Sequence, residues 1–133
     1  MSMLQTMFIA TEAMRAHSQR LNLVASNLAN ADVSSSTEAG AYRAKRPVFQ
    51  EVMLGNGGST VRVSSQATSS APAKIKYDPA DPLANEQGMV WKPSVDLAGE
   101  MADMITASRA YQLNAEVANV SRSLINRALS LGQ

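Results

Sequence analysis

The sequence predicts a mainly α fold with a small β-rich insert: one long helix at each end and an irregular middle. Three observations carry that prediction. Residues 1–39 contain neither glycine nor proline. All five prolines (Pro47, Pro72, Pro79, Pro82, Pro93) and five of the seven glycines lie between Gly40 and Pro93. Beyond Pro93 only Gly99 and Gly132 occur. Proline removes a backbone donor and breaks helices, and glycine costs about 1 kcal/mol in a helix interior. The expected segments are therefore 1–39 for the first helix, 40–93 for the insert and 94–133 for the last helix.

The first helix is expected from about Met3 to Asn30, roughly 40 Å long. Met7, Met14, Leu21 and Leu28 repeat every seven residues, with Met3, Ala10, Val24 and Ala31 on the adjacent line. His17 is the one polar member of that second line. A repeat of about 3.5 residues sustained this far reads as a coiled-coil seam. Asn30, Asp32 and Ser34–Ser36 then end the helix in a polar loop.

In the insert the expected strands are Tyr42–Val52, Thr60–Ser65, Lys74–Tyr77 and Met89–Lys92. Gly55-Asn56-Gly57-Gly58-Ser59 and the Asp78–Gln87 stretch are the turns between them. Pro47 marks an edge or a bulge in the first strand. Ser64–Ala73 is low in complexity and is read as mobile or extended.

The last helix follows Pro93, with Ser94 or Asp96 as N-cap. Glu100 and Asp103 lie in its early turns, and Arg122 and Arg127 near its other end, which suits the helix dipole. It carries two apolar lines. One is Leu113, Val117, Val120, Leu124 and Leu131; the other is Leu97, Met101, Met104, Tyr111, Ala115, Ala118, Ile125 and Leu129. The two are offset by about 200° around the axis. A helix apolar on two sides wants neighbours on both. Either the insert covers the second line, or other chains do. The insert is poor in large apolar residues, which favours other chains. Helical methionines, Met3, Met7, Met14, Met101 and Met104 among them, suit contacts with non-identical neighbours.

Composition removes several functions. The chain has 12 basic and 11 acidic side chains, a formal charge of +1, which does not fit a nucleic-acid binder. There is no cysteine and a single histidine, so disulfide scaffolds, thiolate zinc sites and His-His metal motifs are excluded. No cofactor and no metal is expected. The longest apolar runs fall far short of the roughly 20 residues that cross a bilayer, so no membrane insertion is expected. The first residues lack a basic region and a continuous apolar stretch, so no cleaved secretory signal is expected.

Catalysis is equally undersupplied. His17 and Ser18 are adjacent on a helix and point apart, so they form no triad. Asp78, Asp81 and Glu86 are interrupted by Pro79 and Pro82 and miss the calcium-loop spacing. Asn56-Gly57-Gly58 leads into Ser59-Thr60 instead of Gly-Lys-Ser/Thr, so it is no phosphate loop. Arg43, Lys45 and Arg46, with Tyr42 and Phe49, read as a strand face meeting an acidic partner. Asn119-Val120-Ser121 matches a glycosylation triplet but falls inside a helix.

Two motifs point further. Leu21-Asn22-Leu23-Val24-Ala25-Ser26-Asn27-Leu28-Ala29-Asn30 resembles the N-terminal signature of bacterial flagellar axial proteins, the rod, hook and hook-associated family. Val95-Asp96-Leu97, Glu100-Met101 and Ala107-Ser108-Arg109-Ala110-Tyr111-Gln112-Leu113-Asn114-Ala115 resemble the paired C-terminal motif. The short length, Tyr42-Arg43-Ala44-Lys45-Arg46 with Phe49-Gln50, and Tyr77-Asp78-Pro79 leading to Asp81-Pro82-Leu83-Ala84, Gly88 and Pro93, resemble a proximal-rod subunit in particular. The likeness spans nearly the whole chain except about Gly55–Ala73. Met89 and Ser94 depart from the usual Tyr and Asn.

The resemblance implies a structural subunit of the basal-body rod, the periplasmic drive shaft that transmits torque and encloses the export channel. It implies export by the flagellar type III apparatus, and assembly with copies of itself and with rod subunits of the FlgB, FlgF and FlgG types, under a rod cap. It also implies that the terminal helices pair as an antiparallel coiled coil in the assembled state. The residues expected to pack subunits are Met7, Met14, Leu21, Val24, Leu28, Tyr111, Leu113, Val117, Val120, Leu124 and Ile125. Asn27, Asn30, Asn114 and Asn119 are expected to set register, because a buried amide without a partner is costly. For Asn30 a simple helix C-cap is the competing reading. Competing functions are a soluble two-helix export chaperone or adaptor, and a rod-associated peptidoglycan-cutting enzyme, for which the pattern offers no cleft.

Overall fold

The computed structural model describes residues 2–55 and 57–132; Asn56, in the first expected turn, lies outside them. Helix α1 runs Met3–Ala29 and helix α2 runs Leu97–Leu131. Between them come β1 (Lys45–Met53), β2 (Ser59–Thr68), β3 (Lys74–Tyr77) and β4 (Met89–Lys92). The chain is mainly α with a small antiparallel β insert, as the distribution of glycine and proline predicts.

Each end of α1 has a local cause. The Ser2 hydroxyl accepts from the Gln5 N–H at 3.2 Å, an ordinary N-cap. Asn30 is the C-cap, and its side-chain amide donates to the Ser26 carbonyl at 2.8 Å. For α2 the N-cap is Asp96, although its carboxylate caps no backbone N–H.

β1 and β2 form an antiparallel hairpin with a bulge on β2: Val48 pairs with Ser65 and Phe49 with Val63, so Ser64 is the extra residue. Pro47 pairs in register with Gln66, in a two-stranded ribbon where each strand is an edge, the place that tolerates a proline. β1 starts three residues later than expected, at Lys45, whose backbone N–H and carbonyl both bind the Asn27 side chain of α1. β2 continues through Thr68, so Ser65–Thr68, part of the stretch that reads as low in complexity, is paired strand. The pairing comes from the partner strand's backbone and not from its own weak β-propensity. Gly57 takes φ +84° in the turn, and the Leu54 N–H donates to the Gly58 carbonyl at 2.7 Å.

β3 and β4 make a second two-stranded sheet, tied to the loop after α1 by reciprocal backbone hydrogen bonds between Ser35 and Trp91 of 2.9 and 3.0 Å. Lys92 adds an ion pair to Asp32 at 3.1 Å and donates to the Asp32 carbonyl at 2.7 Å.

Helix α1 is the centre of the molecule. α2 packs on one side of it and the β1–β2 hairpin on another, and α2 reaches the hairpin by side chains near its start, where Glu100 faces Arg46. The insert therefore does not cover the second apolar line of α2. Among the described residues no helix is long and apolar enough to cross a membrane.

Candidate assembly surface and polar lock

The two helices run antiparallel: Asn27 of α1 meets Glu100 of α2, and Arg20 meets Asp103 further along. The side chains that the two helices bury fully are small or polar. Ala10, Ala16, Val24 and Asn27 are buried on α1, and Glu100, Ala107 and Ser121 on α2. Glu100, Ala107, Asn114 and Ser121 follow one another at seven-residue intervals, which defines the true inward line of α2. Small residues at these positions let the helix axes approach closely.

Large apolar side chains of α2 stand open. Leu113 is 63% exposed, and Val117, Val120 and Leu124 lie beside it on the same face. Leu113, Val117 and Val120, with Glu116 and Ser121, line a shallow groove of about 330 Å³. At the same end of the helix pair Leu4 and Phe8 of α1 are exposed, and Leu131 reaches 88%. Nearer its start, α2 also exposes Leu97, Met101 and Ile105. The first apolar line is thus almost wholly free, and it sits beside the α1 contact, not opposite it.

The other expected packing residues divide between these situations. Val24 is buried, and Met7, Met14, Leu21, Leu28 and Ile125 are half-buried, while Tyr111 is exposed. Leu21, Val24 and Leu28 do not face Leu113–Leu124 within one chain. The register sets them beside Glu100–Asp103, and Leu113 lies roughly 15 Å further along α2 than Asp103.

The four asparagines also differ. Asn27 is completely buried and makes four hydrogen bonds to three partners' elements. Its Nδ2 donates to the Lys45 carbonyl at 2.9 Å and to Glu100 Oε2 at 3.0 Å. Its Oδ1 accepts from the Tyr42 hydroxyl at 2.8 Å and from the Lys45 N–H at 2.9 Å. Asn30 and Asn114 donate to carbonyls of their own helices, Ser26 and Ala110. Asn119 is exposed on a polar stripe with Arg122 and Asn126.

Glu100 completes the lock and was not among the expected site residues. It is 2% exposed, and its second oxygen faces Arg46 of β1 at 3.6 Å. Arg20 binds Asp103 with two of its guanidinium nitrogens, Nη2 to Oδ1 and Nε to Oδ2, the latter at 3.3 Å. The acidic partner expected for the Arg43–Arg46 patch is therefore, for Arg46, the chain's own α2. The signal was present in the seven-residue line from Glu100 to Ser121, which a search for apolar residues passes over.

His17 belongs to a different contact. It faces Phe49 across the α1–hairpin seam, ring centroids 6.3 Å apart. Burial, with the Arg20 charge in support, lowers its pKa below the usual 6.5. Among the described residues, His17 Nδ1, Gln5 Nε2 and Thr60 Oγ1 are buried and meet no hydrogen-bond partner. Gln5 adjoins Gly58 and Thr60 lies in β2, so these polar atoms fall along the hairpin side of α1.

Two family descriptions match. Residues 7–34, nearly all of α1 and the loop after it, match "Flagella basal body rod protein". Residues 86–131, covering β4 and α2, match "Flagellar basal body rod FlgEFG protein C-terminal". Along its whole length the chain is 45% identical to the flagellar basal-body rod protein FlgC of Salmonella typhimurium, the full length of that protein being covered. The chain belongs to the FlgC family of flagellar basal-body rod proteins. FlgC of Escherichia coli O6:H1 is 46% identical, with both chains covered completely. FlgC of Borreliella burgdorferi is 34% identical over all of this chain and 99% of that one. The FlgC family name makes this chain a structural subunit of the basal-body rod, and decides against both the enzyme and the chaperone readings.

Proposed function

We propose that the chain is a proximal-rod subunit that polymerises through α1 and α2. The free face Leu113, Val117, Val120 and Leu124 becomes the contact with adjacent subunits, and the helices join an antiparallel coiled-coil layer around the export channel. Neighbours are copies of this chain and rod subunits of the FlgB, FlgF and FlgG types. The subunit reaches the periplasm through the flagellar type III apparatus and is placed beneath the rod cap. Within the layer Asn27 holds register by its four hydrogen bonds. The large side chains contribute about 1.5–3 kcal/mol each when fully buried, so a few per interface, repeated around the shaft, resist twisting and carry torque.

The observation that supports this most is the open apolar face on a helix whose fully buried side chains are small or polar. An apolar face of that extent marks an interaction surface. Val120→Asp tests it. The side chain touches solvent in the single chain, so the purified variant keeps wild-type helicity and thermal midpoint. In cells lacking the native protein the variant supports neither rod assembly nor swimming; normal motility would refute the proposal.

A further inference from the structure

We propose that Glu100 is a positioning residue: it fixes how far along α1 helix α2 sits, and it ties that register to the seating of the β1–β2 hairpin. The fully buried positions set this only weakly by shape. On α2 they include Ala107 and Ser121, and on α1 Ala10, Ala16 and Val24. Side chains this small give shallow ridges, so at these positions a slip of one turn, about 5 Å, loses little packing. Asn114 adds no lock, since its amide is bound to Ala110 of its own helix.

A buried polar group with partners in fixed positions does penalise slip, as a core asparagine does in a coiled coil. Glu100 is such a group. Its Oε2 accepts from Asn27 of α1 at 3.0 Å, and its Oε1 meets Arg46 of β1 at 3.6 Å. Displacement by a turn leaves the carboxylate buried and without either partner, which is far costlier than the lost packing. Arg20 and Asp103 reinforce the position at the same end of the helix pair. Because Arg46 comes from β1, and Asn27 also binds the Lys45 backbone, the register is satisfied only when the hairpin lies on α1. One carboxylate thus checks three elements at once.

The inference rests on the rod-subunit reading only for its consequence in assembly. The chain has no native cysteine, so spin labels attach solely where introduced. Two doubly labelled full-length chains are compared, Ala25→Cys with Ala102→Cys for the helix register, and Gln50→Cys with Ala102→Cys for the hairpin. In the wild-type background each gives one narrow distance. Glu100→Gln, which still accepts from Asn27, keeps the helix distance narrow. Glu100→Ala broadens both distances, or displaces the first by about one turn, 5 Å. Two narrow, unshifted distances in Glu100→Ala would overturn the inference. Should Glu100→Ala fail to fold, Arg46→Ala decides, because the Arg46 side chain is 66% exposed and the fold tolerates its loss. That variant broadens the hairpin distance alone, and an unchanged distance would overturn the coupling. These distances are read in the purified chain. They can fail while Val120→Asp still blocks assembly, and the reverse, so the two ideas fall separately.

Discussion

Asn27 uses every hydrogen-bonding site of its side chain, two donors and two acceptor positions, inside a fully buried pocket. Asn27→Ala therefore takes a hydrogen-bond partner from the Tyr42 hydroxyl, from both Lys45 backbone groups and from Glu100, leaving Glu100 only Arg46 and Tyr42 only a 3.4 Å contact with Ser26. Leaving buried polar groups unmet costs about 1–3 kcal/mol each, so the substitution lowers unfolding stability by about 3 kcal/mol or more in urea titration. His17 makes a prediction of opposite character. Its folded-state pKa lies below the unfolded value of 6.5, so the unfolded chain takes up the proton first. Its contribution to stability is complete above pH 6.5 and is lost as pH falls through 6.5 toward the folded value. Stability at pH 5.5 is then lower than at pH 7.5, and His17→Gln flattens that dependence. The motif Leu21–Asn30 brought Asn27 into view, but Glu100 was legible only as a helix-dipole charge and a member of the C-terminal motif, not as its partner. Burial of a carboxylate depends on Arg46 arriving from another element, which no local pattern encodes.

At the scale of elements, helix and strand existence followed from glycine, proline and periodicity, and β3 and β4 have the expected bounds. The faces were harder to read. Apolar periodicity identified large residues on α2 as seams, while the residues the helix buries fully are Ala107, Ser121 and Glu100. Hydrophobicity marks what must eventually be covered, and only tertiary packing says by what. Similarly, Gln66–Thr68 lay beyond the expected strand, in a stretch read as mobile or extended, and is strand because β1 lies opposite. The β3–β4 connection rests on one residue with a left-handed backbone. Gly88 has φ +72°, and a Cβ there would approach the Tyr77 ring at 2.8 Å and Pro79 at 3.1 Å. Gly88→Ala costs about 1–2 kcal/mol in backbone strain alone. It weakens the 2.8 Å hydrogen bond from the Asp78 N–H to the Gly88 carbonyl, which amide exchange at Asp78 reports.

The molecule as a whole exposes more surface than its size warrants. Its accessible area is 8836 Å². A compact monomer of 14.2 kDa exposes about 6,800 Å². The difference, roughly 2,000 Å², exceeds the roughly 800 Å² that one partner contributes to a standard interface. This shape follows from two long helices that share one narrow face and an insert that lies mainly on α1. It suits a subunit whose remaining contacts come from neighbours in the rod, and it explains why family membership, and not a pocket, reveals the function.

The most direct measurement uses Val120→Cys, the sole cysteine in the chain. Its reaction with a charged maleimide is timed in the purified full-length protein and in intact basal bodies. Burial of the α2 face on assembly predicts rapid labelling of the purified chain and strong protection in basal bodies, reversed when the rods are dissociated. Equal labelling rates in both would contradict the account.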